Sequence, residues 1–427
     1  MPSRLEDAEL GEMNAPFETS LKAAPWLRTN ASKRLLKALS VEGHPVRFVG
    51  GCVRDGLLGR LDPSGDLDLA TPALPHDVAA FLRQAGIKVI PTGLQHGTVT
   101  AIANGQSFEI TTLREDIACD GRHATVQFTD NFVADAARRD FTINAMSVDQ
   151  DGKLYDYFDG RDDLKAGRLR FVGDAERRVR EDYLRILRFF RFFASFGKRP
   201  ADADALAACR DNAERLHDLS GERIRNEMLK LLRADDPIDA LKLMAETDVT
   251  SKILPASPKL DILGKLLALS KETNPILRLA ALVRTLPEPI RNAAAIAERW
   301  RFSNAEALKL EKLASEPKLN PSATTKRARR DLYRLGSDTF LDLFYLSAAE
   351  SGAKAENLEN AKGLAASWET PVLPLSGKDL LDHGLTPGPA FGGLLGQIKA
   401  WWIDHDMQPD REACLQELKR RLAENRP

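Results

Sequence analysis

The chain has 427 residues, with 61 Lys and Arg against 62 Asp and Glu, a formal net charge of −1. That length exceeds one ordinary hydrophobic core and calls for roughly two to four domains. The near-neutral balance excludes a polyanion gripped by overall charge, so any nucleic-acid surface must be local.

Cys52, Cys119, Cys209 and Cys414 form no CxxC pair, which argues against a zinc ribbon or disulfide framework and for a reducing compartment. The N-terminus is polar and acidic, without the apolar core of a signal peptide, and no stretch approaches the roughly 20 apolar residues of a membrane span. A soluble, cytoplasmic protein is expected.

In chain order, residues 1–25 read as a flexible leader. Val46–Val49 reads as a strand before a Gly-Gly turn, followed by a helix at about 52–59. Asp66–Leu69 alternates as a strand does, and 75–86 reads as helix. Ser107–Leu113, Thr125–Phe128 and Ser147–Asp149 supply further strands. This pattern predicts a mixed α/β domain over 26–160. Beyond 160 strand signals become scarce, and amphipathic helices recur between Pro- and Gly-rich breaks such as Gly197–Pro200, Pro255–Pro258 and Pro371–Gly377. No fixed-period repeat is present, so a succession of helical domains is expected rather than a solenoid.

Three constellations carry chemistry. In Val49-Gly50-Gly51-Cys52-Val53-Arg54-Asp55, two glycines let a strand-to-helix turn approach a ligand closely, the helix start offers N–H groups to phosphate, and Arg54 adds a bidentate cation. Alone, this is also a plain strand–helix turn. Next, Asp66-Leu67-Asp68 places two carboxylates on one face of a strand, with Cα atoms roughly 6.5 Å apart. Such a pair repels unless a cation lies between. Mg²⁺ suits a few carboxylates plus phosphate and water, and two such ions organise phosphoryl transfer. An isolated DxD is equally a solvated acidic strand end; the glycine turn before it favours the nucleotide site. Glu109 is a candidate third carboxylate.

In the second constellation, Arg138 through Ala145, Arg139 can meet triphosphate oxygens, while Asp140 and Asn144 can bond a ribose or brace an arginine. A capped helix start would look the same. In the third, Glu181 through Phe192 reads as one helix with Asp182, Arg185, Arg188 and Arg191 at three-residue intervals on adjoining parts of its surface. An ion-paired outer face fits that spacing. A sharper reading also fits. Cytosine and adenine both present an amino donor beside a ring-nitrogen acceptor. Asp182 can accept from the first and Arg185 can donate to the second, whereas uracil and guanine present the reverse order and are rejected. Arg188 and Arg191 remain for phosphate or a second base.

Taken in order, these segments resemble the class II tRNA nucleotidyltransferase and poly(A) polymerase family of the polymerase-β-like nucleotidyltransferase superfamily, nearest its bacterial CCA-adding branch. Gly50–Asp55 with Leu57-Leu58-Gly59, Asp66-Leu67-Asp68 with Thr71, Arg138–Ala145, and Glu181-Asp182 with Arg185, Arg188, Arg191 and Phe192 carry the resemblance. Ser220–Ile224 with Glu227 and Leu231 extends it, and Gly377–Leu380 with Gly384–Pro389 adds a weaker C-terminal match. The resemblance implies an α/β (α+β) head or palm over 26–160. An all-α neck over 161–235 would read the base, followed by a helical body over 236–320 and a tRNA-binding tail over 321–427. It implies Mg²⁺ on Asp66 and Asp68, nucleotide contacts from Gly50, Gly51, Arg54 and Arg139, and Asp182 with Arg185 as a protein template for CTP and ATP.

The implied activity is template-independent addition of C, C and A to the tRNA 3′ end. A-adding and poly(A)-tailing relatives are alternatives. Arg114–His123 reads as the loop that CC-limited members lack, and the chain ends without a long basic extension, which favours full CCA addition. Arg177-Arg178-Val179-Arg180 and Lys326–Arg330 are candidate RNA-contacting runs. A catalytically dead RNA-binding protein would lack one of the two aspartates. An HD-type phosphohydrolase, suggested by His405-Asp406, would need further grouped histidines that the sequence does not show.

Overall fold

A computed structural model describes residues 21, 24–40, 43–60, 67–93, 97–119, 124–271, 274–315, 318–383, 385–386 and 388–424. Asp66 lies outside the described residues, as do the first twenty residues of the expected leader and the segment Asp120–His123. The chain forms two compact units that divide between Pro255 and Ala256.

The first unit is built on a mixed sheet. Its strands are β1 (Arg47–Val49), β2 (Leu67–Thr71), β3 (Lys88–Gly93), β4 (Thr98–Ala103), β5 (Gln106–Thr112), β8 (Ser147–Val148) and β9 (Leu154–Tyr155). They lie in the order β3-β4-β5-β2-β1-β8-β9. Only β2 and β5 run parallel; the other neighbours are antiparallel. Along β4 burial alternates strictly, placing Val99, Ala101 and Ala103 inside, as a sheet with one covered face requires. A separate ribbon pairs β6 (Arg114–Cys119) with β7 (Ala124–Phe128).

Helices α1 (Pro25–Arg28) and α2 (Asn30–Leu39) precede the sheet. The Thr29 side chain caps α2 by accepting from the Ser32 N–H, and Leu35, Leu36 and Leu39 turn inward. Residues Leu21 and Ala24 are buried ahead of α1. Helix α3 (Gly51–Leu57) follows β1 directly, and α4 (Pro75–Gln84), opened by Pro75, packs on β3 and β4. Next come α5 (Phe132–Ala137) and a 3₁₀ turn at Thr142–Asn144.

The helical half of this unit starts at α6 (Gly160–Ala166) and α7 (Ala175–Glu181), continues through α8 (Leu184–Phe196), α9 (Ala203–Asp211) and α10 (Gly221–Leu232), and closes with α11 (Ile238–Glu246) and α12 (Val249–Ile253). Phe189, Phe190, Phe192 and Phe193 of α8 are buried; the Phe141 ring packs on Phe192 and Phe189 with centroids 5.2 and 6.3 Å apart, and Phe171 packs on Phe189 at 5.8 Å. That aromatic cluster joins the Phe141 segment to α8.

The one helix expected over 181–192 is two. Asp182 has φ −159° and ψ 108°, so α7 stops at Glu181 and α8 starts at Leu184. The Asp182 carboxylate takes the Leu184 N–H at 3.1 Å and Arg223 Nη2 at 2.7 Å, which rewards an extended backbone over a helical one. Residues 114–119, read as loop, form β6 because β7 pairs with them.

Among its described residues the second unit contains helices and no strand, from Asp261–Leu269 to Arg411–Glu424. Trp300 and Arg278 are fully buried in it, and Arg284 forms a buried ion pair with Glu350 at 2.7 Å. Its C-terminal helices close over Ile398, Trp402, Cys414 and Leu418. His405 Nδ1 is 2.8 Å from the Trp401 carbonyl and Asp406 pairs with Arg329, so His405-Asp406 closes a helix end. Among the described residues no group of three or more His, Cys, Asp or Glu can hold a metal ion, and no helix is long and apolar enough to cross a membrane.

Candidate active site

The site begins where β1 passes into α3. Gly50 has φ +73° and ψ −127°, a conformation that glycine adopts freely. A Cβ there would lie 3.4 Å from Arg139 Nη1 and 3.9 Å from Asp68 Oδ2. The turn therefore brings bare backbone beside a cation and a carboxylate. Asp68 stands on β2 between buried Leu67 and Leu69, so its side chain takes the opposite face and is only partly buried. Glu109 is its register partner across the parallel pair and shares that face.

Around this point opens a cleft of about 610 Å³. The head contributes Gly50, Gly51, Arg54 and Asp68, joined by Arg138, Arg139, Asp140 and Asn144. Asp182, Leu184, Arg185, Arg188, Arg191, Phe192 and Arg223 form the helical wall. Seven arginines against three aspartates make the lining strongly positive, which suits a polyphosphate. Glu109 is exposed and does not line the cleft.

Acids set behind the lining hold these arginines in place. Arg54 makes a fork with Asp55 at 2.9 Å and donates to Asn144 Oδ1 at 2.7 Å, and its guanidinium carbon lies 4.2 Å from the Phe196 ring centroid. Asn144 donates to Asp140 Oδ1 at 3.2 Å. Arg188 forks onto Asp140 Oδ2, its Nε at 2.8 Å. Burial pushes the Asp140 carboxyl up, but the Arg188 charge and the hydrogen bonds from Arg188, Asn144 and the Phe141 N–H outweigh it and hold the group below the usual carboxylate range. Asp135, buried behind the cleft, takes Arg138 at 2.7 Å and Arg139 at 3.1 Å. Burial raises its pKa too, and the two arginines outweigh that.

On the helical wall Arg185 donates to Glu181 Oε2 at 2.5 Å and to the Arg178 carbonyl at 2.9 Å. Arg178 shares Glu181 at 2.7 Å and is largely buried, so the run 177–180 turns one arginine inward while Arg177 and Arg180 stay exposed. Arg191 is held by buried Glu227 and lies 4.0 Å from the Phe192 ring centroid. Asp182 and Arg185 both reach the cleft, Asp182 from the break between α7 and α8 and Arg185 from the first turn of α8.

Residues 46–170 match the model of the poly A polymerase head domain, and residues 202–260 match that of the probable RNA and SrmB-binding site of polymerase A. The mitochondrial CCA tRNA nucleotidyltransferase 1 of Mus musculus is 36% identical over 411 residues, covering 92% of this chain and 91% of its own length. The chain belongs to the CCA-adding tRNA nucleotidyltransferase family. A CCA-adding enzyme of Lactobacillus johnsonii is 33% identical across 86% of this chain and 92% of its own. The crystal structure of the Bacillus stearothermophilus CCA-adding enzyme in complex with CTP superposes with a TM-score of 0.73 at 31% identity, over 97% of this chain and all of that one. The polymerase-β-like head followed by helices is thus the fold of CCA-adding relatives.

Several lining residues of this family member were not singled out from sequence. Arg223 sits in Ser220–Ile224, a stretch noted for resemblance alone, and the signal for its role was a lone cation at the start of a helix. Arg138 and Phe192 lie inside the motif segments without an assigned part. Asp135 and Glu181, the acids behind the arginines, were visible only as unremarkable acids at helical spacing from their partners.

Proposed function

We propose that this protein adds C, C and A in turn to the 3′ end of tRNA, using CTP and ATP and releasing pyrophosphate. The observation that carries the reading is the single cleft in which Asp68 and the Gly50 turn face Asp182 and Arg185. Phosphate chemistry and base choice meet there, and the relatives named for CCA addition span nearly the whole chain.

The triphosphate lies along Gly50-Gly51 and Arg139, where a Cβ-free backbone and a guanidinium leave room and charge for its oxygens. Arg54, Asp140, Asn144 and Arg188 form a bonded chain that fixes the cleft floor. The amino group of C or A donates to Asp182, and Arg185 donates to the adjoining ring nitrogen. Leu184 N–H and Arg223 hold the carboxylate still, and Glu181 holds the guanidinium.

Asp68 together with Asp66 would hold Mg²⁺. One partly buried carboxylate reaching a cleft built for phosphate fits an ion that takes few protein ligands. When bound, Mg²⁺ neutralises phosphate charge and makes the tRNA 3′-hydroxyl a better nucleophile toward the α-phosphorus. Domain limits at 26–160, 161–235, 236–320 and 321–427 serve as head, neck, body and tail. Free Cys52, Cys209 and Cys414 fit a reducing setting.

The test is incubation of purified protein with tRNAs ending before CCA, after C and after CC, with each triphosphate and Mg²⁺. The reading predicts C on the first two and A only on the third. No incorporation on any would overturn the enzymatic reading, and A alone after CC would overturn full CCA addition.

A further inference from the structure

A second groove lies away from the cleft. It has a volume of about 750 Å³ and shares no residue with the first. Arg28 at the end of α1, Lys33 and Lys37 of α2 and Ser40 at the end of that helix line it, together with the Gln150-Asp151 turn. Its apolar contributors Leu27 and Leu36 are largely buried, and among its polar side chains the cations Arg28, Lys33 and Lys37 face one acid, Asp151.

Two features separate this patch from an ordinary solvated face. Arg28, Lys33 and Lys37 are all exposed and make no ion pair or hydrogen bond among the described residues, whereas Arg34 on the same helix is spent on the Ala85 and Gly86 carbonyls. Arginines elsewhere in the unit are mostly tied to acids, as Arg138, Arg168, Arg185, Arg188 and Arg191 are. The cations are also concave in arrangement. Lys33 and Lys37 are one turn apart on the same helix face, and the groove brings Arg28 beside them.

The topology fixes its place. Ser147 of β8 pairs with Val49, next to Gly50, and Val148 pairs with Phe48. The chain then runs to Gln150-Asp151 at the other end of β1, roughly 10 Å or more from the glycine turn by strand rise. A ligand in this groove cannot be the reacting nucleotide.

We infer that this groove binds the phosphate backbone of the RNA substrate at a point remote from its reacting 3′ end. The inference rests on the RNA-extending reading of the cleft. Among the described residues the groove sets three cations without an ion pair against the one lining acid Asp151, a balance that matches a polyanion, and released counterions supply the binding free energy. The contact is to backbone and so independent of sequence, as recognition of RNA by shape requires.

The test compares the parent protein with a triple charge-reversal variant, R28E/K33E/K37E, after thermal unfolding has shown equal Tm. tRNA binding is measured directly across a salt series, apart from incorporation. CTP binding is measured separately. The inference predicts tRNA affinity at least tenfold weaker in the variant, with the slope of log affinity against log salt smaller by about 2 to 3. CTP affinity is expected to be unchanged. An unchanged tRNA affinity and salt slope would overturn it, as would an equal loss of CTP binding, which would mean that the change acts through the cleft. Residues 1–20 carry five acids and one arginine. If deleting them tightened tRNA binding only while the three cations were present, the groove's ligand would be that segment and the inference would fail. Parent protein that binds tRNA but incorporates nothing would count against the proposed function and leave the groove standing.

Discussion

Asp140 stands where two chains of contacts cross. One runs through Asn144 to Arg54; the other is the fork from Arg188. Its carboxylate is buried and satisfied, so replacing it with alanine strands Arg188 and frees the Asn144 amide. Asp140→Ala is expected to cost about 2–3 kcal/mol, the low end for a broken buried pair because Arg188 keeps a third of its side chain exposed. The pH dependence has a definite sign. The folded carboxyl lies below its ordinary value of 3.8, so its contribution is complete above that value and is lost as pH falls through the folded one. Urea unfolding should therefore give a constant difference between parent and variant from about pH 7 to pH 5, narrowing only below about pH 4. A difference that already narrows near neutral pH would mean another group carries the effect.

The 3₁₀ turn at Thr142–Asn144 owes its position to α6. Gly160 opens that helix so close to the turn that an added Cβ would sit 2.2 Å from the Thr142 carbonyl oxygen. Asp163, fully buried one turn later, accepts from the Thr142 hydroxyl at 2.7 Å and from Arg168 and Arg170. The element that supplies Asn144 to the cleft is thus clamped from behind. Backbone cannot yield as a side chain can, so Gly160→Ala is expected to destabilise by about 3 kcal/mol. It should also lower nucleotide affinity, because the displaced turn carries Asn144 away from Arg54. Chemical denaturation and CTP titration check the two effects, and a Gly160→Ala protein of parental stability would contradict the clamp.

At the scale of the whole molecule, the sheet and the helical remainder were legible where local chemistry is strong. Gly50-Gly51 demanded a turn, Pro75 opened a helix, and Ser107–Leu113 alternated, so these fell within a residue or two of their observed bounds. The hairpin of β3 and β4 was missed because Pro91 interrupts the first strand pattern and Thr98–Ala103 is built of small residues with weak contrast. The break at Asp182 depends on Arg223, 41 residues away, and no local signal encodes such a capture. The cleft was legible in its motifs, while the buried acids that orient its arginines were not, since an acid's burial is decided by packing. The central claim is that one cleft joins transfer chemistry on the head to base choice on α7 and α8. The most direct measurement is incorporation of all four nucleotides onto tRNA lacking CCA by Asp68→Asn and Asp182→Ala proteins side by side. The account predicts that Asp68→Asn incorporates no nucleotide, while Asp182→Ala still incorporates but admits U and G at least roughly tenfold more often than the parent. Asp68→Asn with parental activity, or Asp182→Ala with parental selectivity, would contradict it.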